Sequence, residues 1–479
     1  MSTAPRTDPT RSDPPAPPHA GVSGFKVVLI SPYELGRQPF ALAEPTAILR
    51  QAGFEVACLD LSQQRLSPTA LAGAGLVAIY LGMHTATRIA LEALPRIREL
   101  APAAQLCAYG LYAPMNAPRL RELGFAAIFG GEVENELLAL AQRLSGVDPG
   151  VVEAKVRFVV PDRTALPPLA GYAHLTLPDG QTRRVGFAEG SRGCKHLCRH
   201  CPVVPVYRGQ FRAVPVDVVI ADIRQQVAAG ATHISFGDPD FFNGPTHARR
   251  LVQALHAEFP TVTFDATVKI EHILAQLDLL PELQQAGCLF ITSAVESIDD
   301  QVLGYLDKGH TRADFVRAVE AVRAAGIDLA PTFMPFTPWT RLEGYVELLQ
   351  QLITLRLVES VPPIQLSIRL LVPDGSYLLE LEGFRALLAE FDPVMLGHRW
   401  VHADARVDAL QQQVQRWVAD ADKQGLSRRE TFTGIWGLAH AALDRTPPAL
   451  PADLGHPIAA MSEPWYCCAE PTDQQLQGF

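Results

Sequence analysis

Three cysteines lie within eight residues in the stretch "SRGCKHLCRHCPV": Cys194, Cys198 and Cys201. This C-x3-C-x2-C spacing lets three thiolates converge on one soft metal centre. Four thiolates would close such a site. Three leave one position open for a substrate or cofactor, as in a [4Fe–4S] cluster with a unique iron. A structural zinc site completed by His196 or His200 is the competing reading. A second thiol pair, Cys467 and Cys468, sits in "SEPWYCCAEP" near the end of the chain. Adjacent cysteines form a strained, easily reduced disulfide, so they are poor staples. As a dithiol they chelate a thiophilic trivalent ion such as arsenite well. A redox role and incidental thiols in a polar tail remain the alternatives.

The chain that must position these groups has 479 residues, 48% hydrophobic and 19% charged, with a net charge of −10. That length allows two or three domains, and the acidic balance argues against nucleic acid as a partner. No apolar run is long enough to span a membrane. Residues 1–24, rich in proline and small polar side chains, read as a disordered leader without a secretory apolar core. A cytoplasmic location follows as the expectation. In that reducing compartment eight cysteines point to metal or redox chemistry rather than disulfides.

Strand and helix patterns alternate from "FKVVLISP" to "ENELLALAQRL", which predicts a doubly wound, Rossmann-like α/β domain over residues 25–145. Cys58 and Cys107 fall inside strand patterns and read as core thiols. A proline-bearing linker spans 146–184. A second series follows over 185–383, with strands in "RVGFAEG", "THISFGD", "VTFDATV", "LFITSAV", "IDLAPTFM" and "IQLSIRLL". Six βα units predict a partial (β/α)6 barrel, whose chemistry belongs at the C-terminal ends of the strands. Residues 384–462 read as a helical C-terminal region. Val407, Leu410, Val414, Trp417 and Val418 share one helical face there, as do Phe432, Ile435, Leu438, Ala439 and Ala442. The cysteine tail occupies 463–479.

The cysteine spacing after the first barrel strand, with the preceding "SRG", resembles the radical S-adenosylmethionine (SAM) superfamily. The resemblance implies a [4Fe–4S] cluster on Cys194, Cys198 and Cys201, SAM on the open iron, and an external one-electron reductant. The residue before the third cysteine is usually aromatic in that superfamily and is His200 here, which alters packing near the adenine side. The resemblance also implies SAM contacts from Gly237, Asp238 and Asp240 in "HISFGDPDFF". Lys269 in "ATVKIEHI", Glu296 and Ser297 in "TSAVES" (followed by "LDKGHT"), and Ser367 and Arg369 in "LSIRLLVPDGS" complete the set.

The N-terminal domain resembles the cobalamin-binding domain that precedes many such barrels. The usual D-x-H-x-x-G ligand loop is missing, since the chain reads "SPYELGRQPF". His84 reads as a helix-entry residue, and cobalamin stays an open cofactor without a histidine-loop ligand. The "CCAEP" tail resembles the CUAEP/CCAEP-tail radical SAM proteins, in which selenocysteine or cysteine can occupy a tail position. Among these, the architecture is similar to the radical SAM enzymes of arsinothricin biosynthesis. That likeness implies transfer of the 3-amino-3-carboxypropyl group of SAM to arsenite, giving hydroxyarsinothricin. Cys467 and Cys468 would then hold As(III) over the barrel mouth, with a substrate thiol or Cys288 as third ligand. A 5′-deoxyadenosyl-type enzyme acting on an unreactive carbon and a non-catalytic thiophilic-metal-binding protein are the other readings.

Overall fold

Val27, Val28, Leu29 and Ile30 are fully buried, because their strand is covered on both faces. Val28 and Ile30 pack with Val77 and Ile79 on one side of the sheet, and Val27 and Leu29 pack with Leu76 and Ala78 on the other. The computed structural model that shows this arrangement describes residues 24–463. The leader and Cys467 and Cys468 lie outside the described residues.

The first sheet holds β1 (Lys26–Ser31), β2 (Glu55–Asp60), β3 (Ala74–Tyr80), β4 (Gln105–Tyr109) and β5 (Ala127–Phe129). Its order is β2-β1-β3-β4-β5, all parallel. This is a doubly wound order, with its loops converging at the C-terminal ends of the strands. Cys58 and Cys107 are buried in it. His84 opens the helix His84–Leu100.

The second sheet begins with β6 (His174–Thr176) and β7 (Thr182–Ala188). A small ribbon of β8 (Ser191–Gly193) and β9 (Phe211–Ala213) brackets the cysteine loop. The sheet continues with β10 (His233–Phe236), β11 (Thr263–Thr267), β12 (Cys288–Glu296) and β13 (Asp328–Phe333). From β7 to β13 the five strands are parallel and curl into a half-barrel with helices outside. The protein is thus α/β, with a doubly wound domain followed by a partial barrel.

Three expectations are corrected. "IQLSIRLL" is not a sixth full strand. Pro363–Leu366 forms a 3-10 turn, and only one parallel bridge, Phe336 to Arg369, joins this segment to its neighbour. Pro335 and Pro338 flank Phe336 and have no N–H to extend a ladder. The linker is also more ordered than its prolines suggest. It carries β6 and the start of β7, and Arg163 fixes it through Asp222 (2.7 and 2.8 Å), Gln38 (2.9 Å) and the Phe187 carbonyl (2.7 Å).

The C-terminal region is the third correction. It contains a hairpin, β14 (Leu388–Asp392) and β15 (Gly397–Trp400), before the helices Ala405–Lys423 and Arg428–Ala441. Val407, Leu410, Val414 and Val418 are buried on the first helix, and Phe432, Ile435 and Ala439 on the second. The chain then returns, and β16 (Ala460–Met461) pairs antiparallel with β6. No described helix is long and apolar enough to cross a membrane.

Candidate active site: a cysteine loop at the barrel mouth

The cysteine loop follows β8 at the C-terminal edge of the half-barrel. Gly193 has φ +76°, and an added Cβ would strike the Gln210 carbonyl and the Tyr207 ring, so only glycine permits this turn. Cys194 and Cys198 are buried, and Cys201 is partly exposed. The Cys201 N–H donates to the Cys198 carbonyl (3.1 Å), which curls the loop into a single turn. Cys194 Sγ lies 3.9 Å from Asn243 Oδ1, which also accepts from the Lys195 N–H (3.1 Å). Burial pushes the Cys194 thiol up to about 11, so a bare thiolate is disfavoured there and a metal partner would favour it.

Behind the loop sits a buried charge pair. Lys308 Nζ lies 3.5 Å from Glu296 Oε1, and His200 Nε2 lies 3.2 Å from the same oxygen. Burial would lower the Lys308 pKa, but Glu296, Cys198 and Cys201 together raise it. A cation whose charge acts on two of the three cysteines favours an anionic thiolate-bound cluster. The residues present therefore fit a [4Fe–4S] cluster. Glu296 adopts φ +66° at the end of β12, where the ladder to β13 shifts register. Lys308 and Asn243 went unassigned in the sequence. Lys308 lies in "LDKGHT", but nothing in that stretch says which way its ammonium points.

The other expected site residues divide into two groups. Gly237 follows β10, where a Cβ would collide with the Phe187 ring. Asp238 accepts from Ser191 Oγ (2.5 Å) and the Gly190 N–H (2.9 Å), and burial raises its pKa to about 7. It thereby braces the turn into the cysteine loop. Asp240 lies against His196 (3.2 Å) and His272 (2.6 Å). Lys269 Nζ meets Glu271 at 3.3 Å. Ser297 Oγ accepts from the Asp299 N–H (3.0 Å) in the turn after Glu296. These residues gather at the mouth.

Ser367 and Arg369 are engaged elsewhere. Ser367 Oγ donates to the Ile364 carbonyl (2.9 Å), and its own carbonyl accepts from Gln411 (3.0 Å). Arg369 donates to Asp408 (2.5 Å) and to the Trp400 carbonyl, and its guanidinium stacks 3.5 Å over the Trp400 ring. Both residues hold the C-terminal helices to the barrel. Cys288 is corrected as a third arsenic ligand. It opens β12 at the end opposite Glu296, buried and donating to the Phe290 carbonyl (3.5 Å). Eight residue steps of strand, about 26 Å, separate the two ends.

A cavity of about 230 Å³ lies between the two domains, against Gly193 and Gly237. Glu34, Tyr80, Tyr109, Glu134, Glu189 and Arg192 line it. Arg192 bridges Glu134 (2.5 Å), Glu189 (2.9 Å) and Glu44. Burial outweighs this partner and raises the Glu44 carboxyl to about 8. The lining offers no imidazole that could serve as an axial ligand to a cobalamin.

Residues 189–349 match the Radical SAM superfamily model. The chain is 25% identical over 177 residues to the ribosomal protein uS12 methylthiotransferase RimO of Porphyromonas gingivalis, covering 35% of this chain and 41% of that protein. It is also 25% identical over 218 residues to the tRNA-2-methylthio-N(6)-dimethylallyladenosine synthase of Haemophilus influenzae, covering 42% of each. The match thus spans about two fifths of these relatives' length. Among solved structures it resembles the cobalamin-dependent SAM radical enzyme OxsB, with TM-score 0.64, 14% identity, 84% of this chain and 67% of that one. It also resembles the radical SAM methyltransferase TsrM of Kitasatospora setae, with TM-score 0.54, 19% identity, 69% of this chain and 71% of that one. These last two likenesses concern the fold. The protein is an enzyme, and its residues 189–349 are similar to the radical SAM superfamily. That family implies a [4Fe–4S] cluster and SAM.

Proposed function

We propose that this enzyme transfers the 3-amino-3-carboxypropyl group of SAM to As(III), giving hydroxyarsinothricin. Cys194, Cys198 and Cys201 would hold the cluster, which when bound supplies one electron to the sulfonium. The observation that carries the radical reading is the single turn that holds Cys194, Cys198 and Cys201 together at the barrel mouth. Gly237, Asp238, Lys269, Glu296 and Ser297 would line the SAM side of that mouth.

The arsenite reading rests on the vicinal pair Cys467–Cys468 and on where the described chain ends. Glu463 meets the Tyr33 hydroxyl and Gly36, on the loop whose Glu34, Leu35 and Arg37 line the interdomain cavity. Cys467 is four residues further on. Four residues reach at most about 14 Å. Holding the acceptor near the radical supplies the proximity that so short-lived a species needs. The reaction balances without a net oxidant. Group transfer takes arsenic from the trivalent to the pentavalent state, releases 5′-methylthioadenosine and a proton, and returns the electron.

A second reading, a methyl or methylthio transfer through a 5′-deoxyadenosyl radical, is favoured by the names of the matched relatives. Anaerobic incubation of the reconstituted protein with SAM, reductant and arsenite separates the two. 5′-Methylthioadenosine with a carbon–arsenic product supports the first. 5′-Deoxyadenosine without an arsenical supports the second and overturns the first.

A further inference from the structure

We infer that His196, Asp240 and His272 form a second, mononuclear metal site beside the cysteine loop, for a borderline divalent cation of the zinc and cobalt class. Asp240 Oδ2 lies 3.2 Å from His196 Nε2 and 2.6 Å from His272 Nδ1, and all three atoms lie within 4.8 Å of one another. Tetrahedral metal bonds of about 2.0–2.2 Å place neighbouring ligand atoms about 3.3–3.6 Å apart, so side-chain movements of up to about 1 Å would seat one ion. Two imidazoles and one carboxylate suit such a metal.

The three atoms are buried, and none makes a hydrogen bond of acceptable geometry among the described residues. The Asp240 side chain is 0% exposed. A buried carboxylate oxygen without a hydrogen bond is costly, and a cation would relieve that cost. Its other oxygen is already fixed by the N–H groups of Phe242 (3.2 Å) and Lys269 (3.4 Å). The far nitrogen of His196, Nδ1, lies 2.7 Å from Glu271 Oε1. A carboxylate behind a ligating histidine is the usual device for setting its tautomer and basicity. Gly309 makes room for it, since a Cβ there would strike Glu271.

The ligands come from the loops after β8 and β10 and from the helix Ile270–Ala275 after β11, so the ion would tie the cysteine loop to the barrel. Three protein ligands leave a fourth tetrahedral position for water or a substrate oxygen. Asp240 is thereby assigned to this metal rather than to the SAM ammonium. The site is independent of which group the enzyme transfers.

The test uses cluster-reconstituted full-length protein in which Cys467→Ser and Cys468→Ser remove the tail thiols. It is incubated with Zn2+, passed over a chelating resin, and its zinc and iron are measured. One retained zinc per chain, with iron unchanged, is expected. His272→Ala, at a partly exposed helix position, should lose at least nine tenths of the zinc while iron and circular dichroism stay constant. Glu271→Gln should weaken zinc binding about 10–100-fold in a chelator competition. The inference is overturned if the parent retains no zinc, if zinc enters only as iron leaves, or if His272→Ala binds zinc as the parent does.

Discussion

Lys308 Nζ lies 3.5 Å from Glu296 Oε1, and the two side chains are only 3% and 12% exposed. Burial would raise the Glu296 carboxyl, but Lys308 and His200 hold it down at about 2. Removing one member of a buried pair strands the other charge. Glu296→Gln should therefore cost about 3–5 kcal/mol in denaturant unfolding at neutral pH. Because the folded pKa is depressed, this stabilisation is complete above the ordinary carboxyl value near 4.5. It is lost as pH falls from there towards about 2. The stability gap between parent and variant should shrink across that window. A gap that stays constant with pH would show that the pair is not charged in the folded state.

Single Cys194→Ala, Cys198→Ala or Cys201→Ala variants should each lose the iron–sulfur absorption and the reduced-cluster EPR signal after anaerobic reconstitution. SAM cleavage should fall to background with them. The fold should survive, because the two sheets are built from other residues. Tightly held zinc with no iron in the parent would refute the cluster assignment.

Changing Cys467 and Cys468 together to Ser should leave iron content, SAM binding and uncoupled SAM cleavage near parental levels. The arsenical product should disappear. Arsenical formed at the parental rate by the double variant would remove the tail from the acceptor site.

Arg369 joins the barrel to the C-terminal helices through Asp408 (2.5 Å) and the Trp400 ring. Arg369→Ala should cost about 1.5–3 kcal/mol, the range for a charge-assisted hydrogen bond. Asp408→Asn should reproduce part of that loss. SAM affinity, measured by equilibrium binding on the cluster-loaded protein, should change less than threefold in both. A tenfold loss confined to Arg369→Ala would return this residue to the SAM site.

What the sequence determined by itself is whatever depends on local periodicity and close spacing. The apolar runs of β1 and β3 must be covered on both faces, and three thiols within eight residues must share a site. The α/β class, the parallel strands of the two series up to β13 and the cysteine loop were legible on those grounds, whereas β6, β8 and β9 were not. Tertiary structure decided what depends on a partner distant in sequence. "IQLSIRLL" has the composition of a strand, yet Pro335 and Pro338 on its neighbour leave it a single bridge. Arg369 looks like an active-site cation, but Asp408 and Trp400, tens of residues away, claim it. Lys308 and Asn243 carry no signal of their own, because their direction is set by β12 and by the turn after β10. His196, Asp240 and His272 come from two separate loops and a helix. Only the curl of the half-barrel, which brings the C-terminal ends of neighbouring strands together, places their ligand atoms within a few ångströms of one another.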